Sequence, residues 1–154
     1  IWGFIAILNA LTFSDMSDSW FAALQFFTGS VAAVATFFMI LSIGNMQLPS
    51  KKEFLALGLG LIAGILWLIW SNAEWANMLI LVALGIGFIP MYSGVIAEPQ
   101  KEKPLPWIIW TAAFLLSLIN VVLLDKPFIT YVMPFAGAVL HGGVAVLSRK
   151  SRHK

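Results

Sequence analysis

The sequence predicts an all-α integral membrane protein, a polytopic bundle of six visible helices of which the first is truncated. Three observations carry that prediction. Of the 154 residues, 60% are hydrophobic and only 10% are charged, whereas a soluble domain runs about 45–50% apolar and about 25% charged. Mean hydropathy is +0.93 for a chain of 16.9 kDa. A soluble fold of that size leaves roughly a third of its chain surface wet and could not hide so much apolar area. Finally, the charges are confined to short segments between long charge-free runs. Together these exclude a soluble domain, a disordered chain and a nucleic-acid binder. The absence of cysteine excludes a disulfide scaffold, a zinc-thiolate centre and a thiol nucleophile.

The runs, taken in order, are 1–13, 20–45, 54–71, 75–96, 106–124 and 128–148. A spanning helix needs about 20 mostly apolar residues, and the last five approach or exceed that. The first is too short and is expected to be the remainder of a helix that begins upstream. A cleaved signal peptide would need a basic leader and a small-residue cleavage site, and the run shows neither. Between the runs, Ser14–Ser19, Ser71–Glu74 and Asp125–Pro127 are short and mostly acidic, while Asn45–Glu53 and Ala97–Pro106 are longer and carry prolines and lysines. Short connections make antiparallel neighbours. The expected organisation is a single transmembrane domain: 1–45 as the remainder of a first bundle, 54–71 as a linker helix, 75–148 as a second bundle, and 149–154 as a basic tail.

Charge then orients the chain. Lys51, Lys52, Lys101, Lys103, Arg149, Lys150, Arg152 and Lys154 fall on one side of the alternating helices. Only Lys126 falls on the other side, beside Asp15, Asp18, Glu74 and Asp125. Basic residues in short loops mark the cytoplasmic face, so the lysine loops and the tail are expected inside, and the layout fits a bacterial inner membrane. One further upstream helix would give seven spans with the N-terminus outside. Trp20, Trp75, Trp107, Trp110 and Tyr131 lie near run ends, where amphipathic rings anchor at the headgroup level.

Polar groups in hydrocarbon are costly and tend to face a bundle interior or a cavity. Serines and threonines satisfy themselves on their own helix. Asn9, Gln25, Asn120 and His141 do not, and they serve either as interhelical hydrogen-bond partners or as solute contacts. With Tyr92 and Trp110 they form the expected substrate-binding set. A metal centre needs several converging ligands, and one intramembrane histidine does not supply them. Every carboxylate lies in a loop, which removes a Ser/His/Asp triad and the buried acid on which ion coupling usually rests. The expectation is therefore a non-enzyme without cofactor or metal.

Glycine and proline shape the helices. Gly58, Gly60 and Gly64, Gly85 and Gly87, and the small residues from Ala136 to Gly143 are expected to let helices approach closely. Pro90 and Pro134 each remove a backbone hydrogen bond inside a run and bend the helix, and both are expected hinges.

Sliding the chain by 111 residues lays Asn9 on Asn120 and Trp20 on Tyr131, a layout of two pseudo-repeated three-helix bundles joined by a linker helix. The segments Ile89-Pro90-Met91-Tyr92-Ser93-Gly94-Val95, Glu98-Pro99-Gln100-Lys101-Glu102 and Pro106-Trp107-Ile108-Ile109-Trp110 resemble the opening of the second bundle in the SWEET and PQ-loop superfamily of seven-helix transporters. The resemblance runs mainly over residues 75–148. It implies a facilitative carrier with a midplane cavity between two bundles, with Pro90 at the family's hinge. Where sugar-carrying members place an asparagine on the third helix of each bundle, this chain offers Gln25 or Ser30 and His141. The expected function is facilitated transport of a small polar solute, sugar-like or another small metabolite. The alternative is a non-transporting subunit or receptor-like protein that uses the same fold to bind a partner. The expected partners are the lipid bilayer and the solute, with a second copy of the chain left open and nucleic acid excluded.

Overall fold

In a computed structural model, described for residues 1–44, 48 and 50–149, the chain forms six α-helices and one short 3-10 turn, with no strand among the described residues. The helices are α1 (Trp2–Ser17), α2 (Leu24–Ile43), α3 (Lys51–Trp70), α4 (Ala73–Ala97), α5 (Pro104–Leu123) and α6 (Ile129–Arg149). Five of them, α2 to α6, are long and apolar enough to cross a membrane. About half of their large apolar side chains are exposed, as suits a surface solvated by lipid. Lys150, Arg152 and Lys154 of the expected tail, and the start of the loop expected from Asn45, lie outside the described residues.

The helices begin and end where local chemistry dictates, which shifts several of the expected boundaries. α3 starts at Lys51 rather than 54 because Ser50 caps it. The Ser50 N–H donates to Glu53 Oε2 at 2.7 Å and the Glu53 N–H donates back to Ser50 Oγ at 3.3 Å. That reciprocal pair satisfies two otherwise orphaned donors and draws three charged residues into the first turn. α4 opens under Asn72, whose Oδ1 accepts from the Trp75 N–H at 3.1 Å. α5 begins at Pro104, since the fixed φ of proline suits the first helical position, where no donor is needed. α1 runs on through Ser14–Ser17, which the charge pattern assigns to a loop, and stops at Asp18 in the left-handed region (φ 44°). Residues 20–23 are turn rather than helix.

The chain divides into two compact units, Ile1–Ile86 and Gly87–Lys154, and the division falls inside α4. In the first unit α1 packs on α2 and α3. The buried face of α3 is a stripe of small residues, Ala56, Gly60, Ala63 and Gly64. A Cβ on Gly60 would stand 3.5 Å from Ile5 and Phe4, and one on Gly64 would stand 3.4 Å from Leu8. These two glycines seat α1 against α3 as the small-residue rule expects. Gly58 and Gly85 face open space and do not serve that purpose. Phe13 of α1 meets Phe26 of α2 at 4.2 Å between ring centroids. The start of α4 buries Ala73, Ala76, Asn77, Ile80 and Ala83, one face at helical spacing.

In the second unit α5 and α6 form an antiparallel hairpin and pack along their length. Phe114, Ser117 and Val121 are the buried stripe of α5. α6 buries Thr130, Met133, Pro134, Gly137, Ala138, Val144, Ala145 and Ser148. A side chain at Gly137 would collide with the ring of Phe114, and one at Gly143 with the hydroxyl of Tyr92. The glycines of α6 are therefore places where rings from other helices press onto its backbone.

Candidate functional site

Within the first unit the expected residue Asn9 is buried, at 8% exposure, and its partner is a residue that sequence reasoning passed over. Asn77 of α4 is fully buried. Its Nδ2 donates to Asn9 Oδ1 at 2.9 Å and to Thr12 Oγ1 at 3.1 Å. Thr12 in turn donates to the Leu8 carbonyl at 2.9 Å. This network ties α4 to α1 and uses up both hydrogens of the Asn77 amide. Its Oδ1 is buried and takes no hydrogen bond from any described residue. Gln25, on the first turn of α2, is half-buried, and both of its amide atoms are buried without a partner. Asn77 was visible as an asparagine one turn inside an apolar run. What the sequence did not reveal was the pairing, because α1 and α4 are far apart along the chain.

At the end of the same unit a cleft of about 780 Å³ opens among the last turn of α1, the 18–20 turn, α2 and the last turn of α3. Trp67 Nε1 donates to Asp15 Oδ2 there at 2.7 Å.

The second unit gathers three of the expected residues. His141 on α6 is half-buried and sits among four aromatic rings. Centroid distances are 4.9 Å to Phe88, 5.7 Å to Trp107, 5.8 Å to Trp110 and 4.9 Å to Phe114. Its Nδ1 lies 2.8 Å from the Gly137 carbonyl. That contact assigns the proton to Nδ1 and leaves the Nε2 lone pair as an acceptor, with no hydrogen-bond partner among the described residues. Tyr92 closes the group by donating to the Leu140 carbonyl at 2.8 Å. Trp107, Trp110 and Phe114 come from one face of α5 at spacings of three and four; of the four rings, the sequence singles out only the two tryptophans. Trp107 and Trp110 face His141 as well as the helix end, and Trp107 Nε1 also donates to Glu102 Oε2 at 3.1 Å.

The remaining expected residues stand apart from that cluster. Asn120 is half-buried on α5, ten residues and so about 15 Å along the helix from Trp110, and its side chain bonds no described residue. Ser117, between them, is buried with an unpartnered Oγ. Pro90 lies inside α4 and can give no hydrogen to the carbonyl of Ile86, the residue at the boundary between units. Pro134 is fully buried inside α6. Among the described residues no three of His, Asp and Glu converge on a metal-sized site.

Among the described residues the fold is all-helical, with five helices long and apolar enough to cross a membrane, compatible with an integral multi-pass membrane protein, and with hydrogen-bonding groups held inside apolar helices. No family model, curated protein or solved structure matches the chain.

Proposed function

We propose that the chain is a facilitative carrier of a small polar solute. The observation that supports this is unused hydrogen-bonding capacity: Asn77 Oδ1, both amide atoms of Gln25 and Ser117 Oγ are buried without partners. Leaving a buried polar atom unpaired costs about 1–3 kcal/mol. Atoms kept at that cost inside apolar helices suit a solute that supplies the missing hydrogens and lone pairs in passing. Nε2 of His141 adds an acceptor on a ring whose centroid lies 5.7 Å from that of Trp107 and 5.8 Å from that of Trp110, a setting suited to a solute with one polar and one flat apolar side. On this reading the SWEET-like plan of two three-helix bundles and a linker is the framework, Pro90 a pivot, and the lysine loops the cytoplasmic face.

The test is uptake by the purified chain in liposomes, using labelled sugars, polyols and amino acids. Saturable uptake of at least one solute, down its own gradient and with no ion gradient applied, is expected. His141→Ala should slow it about tenfold at low substrate, the effect of losing one hydrogen bond to a well-placed partner, while melting temperature holds. Failure of every solute to enter would sink the carrier reading in favour of a non-transporting subunit.

A further inference from the structure

Asn77 gives the hydrogen bonding of the first unit a direction, and that direction bears on what can be recognised there. Its Nδ2 carries two hydrogens, and both go to α1, one to Asn9 Oδ1 at 2.9 Å and one to Thr12 Oγ1 at 3.1 Å. The single hydroxyl hydrogen of Thr12 is shared between the carbonyls of Leu8 at 2.9 Å and Asn9 at 3.3 Å. Every side-chain hydrogen that Asn77 and Thr12 can donate is therefore spent. What remains is Asn77 Oδ1, an acceptor without a partner on a side chain with no exposed surface. Turning the amide over would strand two hydrogens in place of one oxygen, so the bonds to α1 fix which atom is left over.

Gln25 and Ser117 are unpartnered as well, but a free amide and a free hydroxyl can each give or take a hydrogen, and so select nothing. Asn77 can only take one. A carboxylate, a phosphate or an ether presented to it would set acceptor against acceptor. Resting on the carrier reading above, we infer that Asn77 is a specificity-determining residue: the carrier takes solutes that present an O–H or N–H group to Oδ1 and refuses those that have none. The oxygen is reached in a conformation more open than the present one, as a carrier that exposes its site to each side in turn requires.

The experiment is competition in the liposome uptake assay with the full chain. Labelled erythritol, glucose and glycine are the probes. Each is challenged with an excess of the unlabelled solute and with the same excess of its fully methylated partner: erythritol tetramethyl ether, pentamethyl glucose or glycine betaine. These partners keep acceptor atoms and lose every hydrogen they could donate. A probe that enters should be blocked by the unlabelled solute, and the methylated partner should compete at least about tenfold more weakly, the effect of one lost hydrogen bond. Equal competition overturns the inference and leaves the carrier reading standing. Entry of none of the three probes also overturns it, whereas the carrier reading falls only if the whole panel of solutes fails. A double variant separates hydrogen bonding from bulk. Asn9→Leu with Asn77→Leu removes both partners and keeps their shape, an exchange that can be nearly neutral for stability. Its uptake should be about tenfold slower at low substrate, and parent and methylated solute should compete alike. A gap that survives in the double variant comes from size and overturns the inference. The methylation comparison uses the unmodified chain, so its result stands even if the double variant fails to fold.

Discussion

Asn9 and Asn77 show how two residues of one type take different parts. Asn9 gives its carbonyl to Asn77, so its first role is to join α1 to α4. Asn77 keeps a free acceptor in the protein interior, so part of its side chain remains for something else. Asn9→Ala should therefore lower stability, by about 1–3 kcal/mol, because it strands a donor of Asn77; the expected sign is a lower melting temperature with uptake kept in the protein that survives. Uptake lost at unchanged melting temperature would instead make Asn9 a solute contact. Of these side chains, Asn9, Gln25 and His141 were legible from the sequence because an amide or imidazole in an apolar run demands a partner. The partners themselves were not. Asn77 lies 68 positions from Asn9, and no spacing rule reaches across that distance. Phe88 and Phe114 are ordinary apolar residues until the fold brings them onto His141.

At the scale of the element, hydrophobicity located the helices and local chemistry set their ends. The charge-free runs find all six, because burial in hydrocarbon constrains composition over a whole span. They misplace the start of α3 and the end of α1 because capping is read from a few polar residues and not from hydropathy. Ser50-Lys51-Lys52-Glu53 is a capping box in plain sight, and it draws charges into the helix that a charge-free window excludes. The glycines divide in the same manner: Gly60 and Gly64 lie on the buried stripe of α3, whereas Gly58 is off that stripe and faces open space. Pro90 is the element-scale question with a functional answer. Alanine there would restore the N–H that Ile86 lacks, adding about 0.5–1.5 kcal/mol of net hydrogen bonding. On the carrier reading Pro90→Ala should raise the melting temperature slightly and slow uptake, since a straightened α4 resists bending. Unchanged uptake would remove Pro90 from the mechanism, and a fall in melting temperature would show that neighbouring side chains are packed around the bend.

For the whole molecule, the feature that bears on orientation is the alternation of basic and acidic segments along the sequence. Eight of the nine basic residues fall on one side of the alternation, and holding a lysine at the centre of a bilayer costs about 2.5–3.5 kcal/mol even by the most lenient insertion scales. Asp15 lines the cleft at the end of the first unit, so orientation also decides which solution that cleft samples. Asp15 and Asp18 lie at the end of α1, Glu74 in the first turn of α4 and Asp125 just after α5, whereas Lys51 and Lys52 open α3 and Lys101 and Lys103 lie between α4 and α5. Because the chain lacks cysteine, single cysteines report position without background. Asp15→Cys and Asp125→Cys should react with a membrane-impermeant maleimide added to intact cells, whereas Lys101→Cys should react only after the membrane is permeabilised. Labelling of position 101 from outside would invert the orientation.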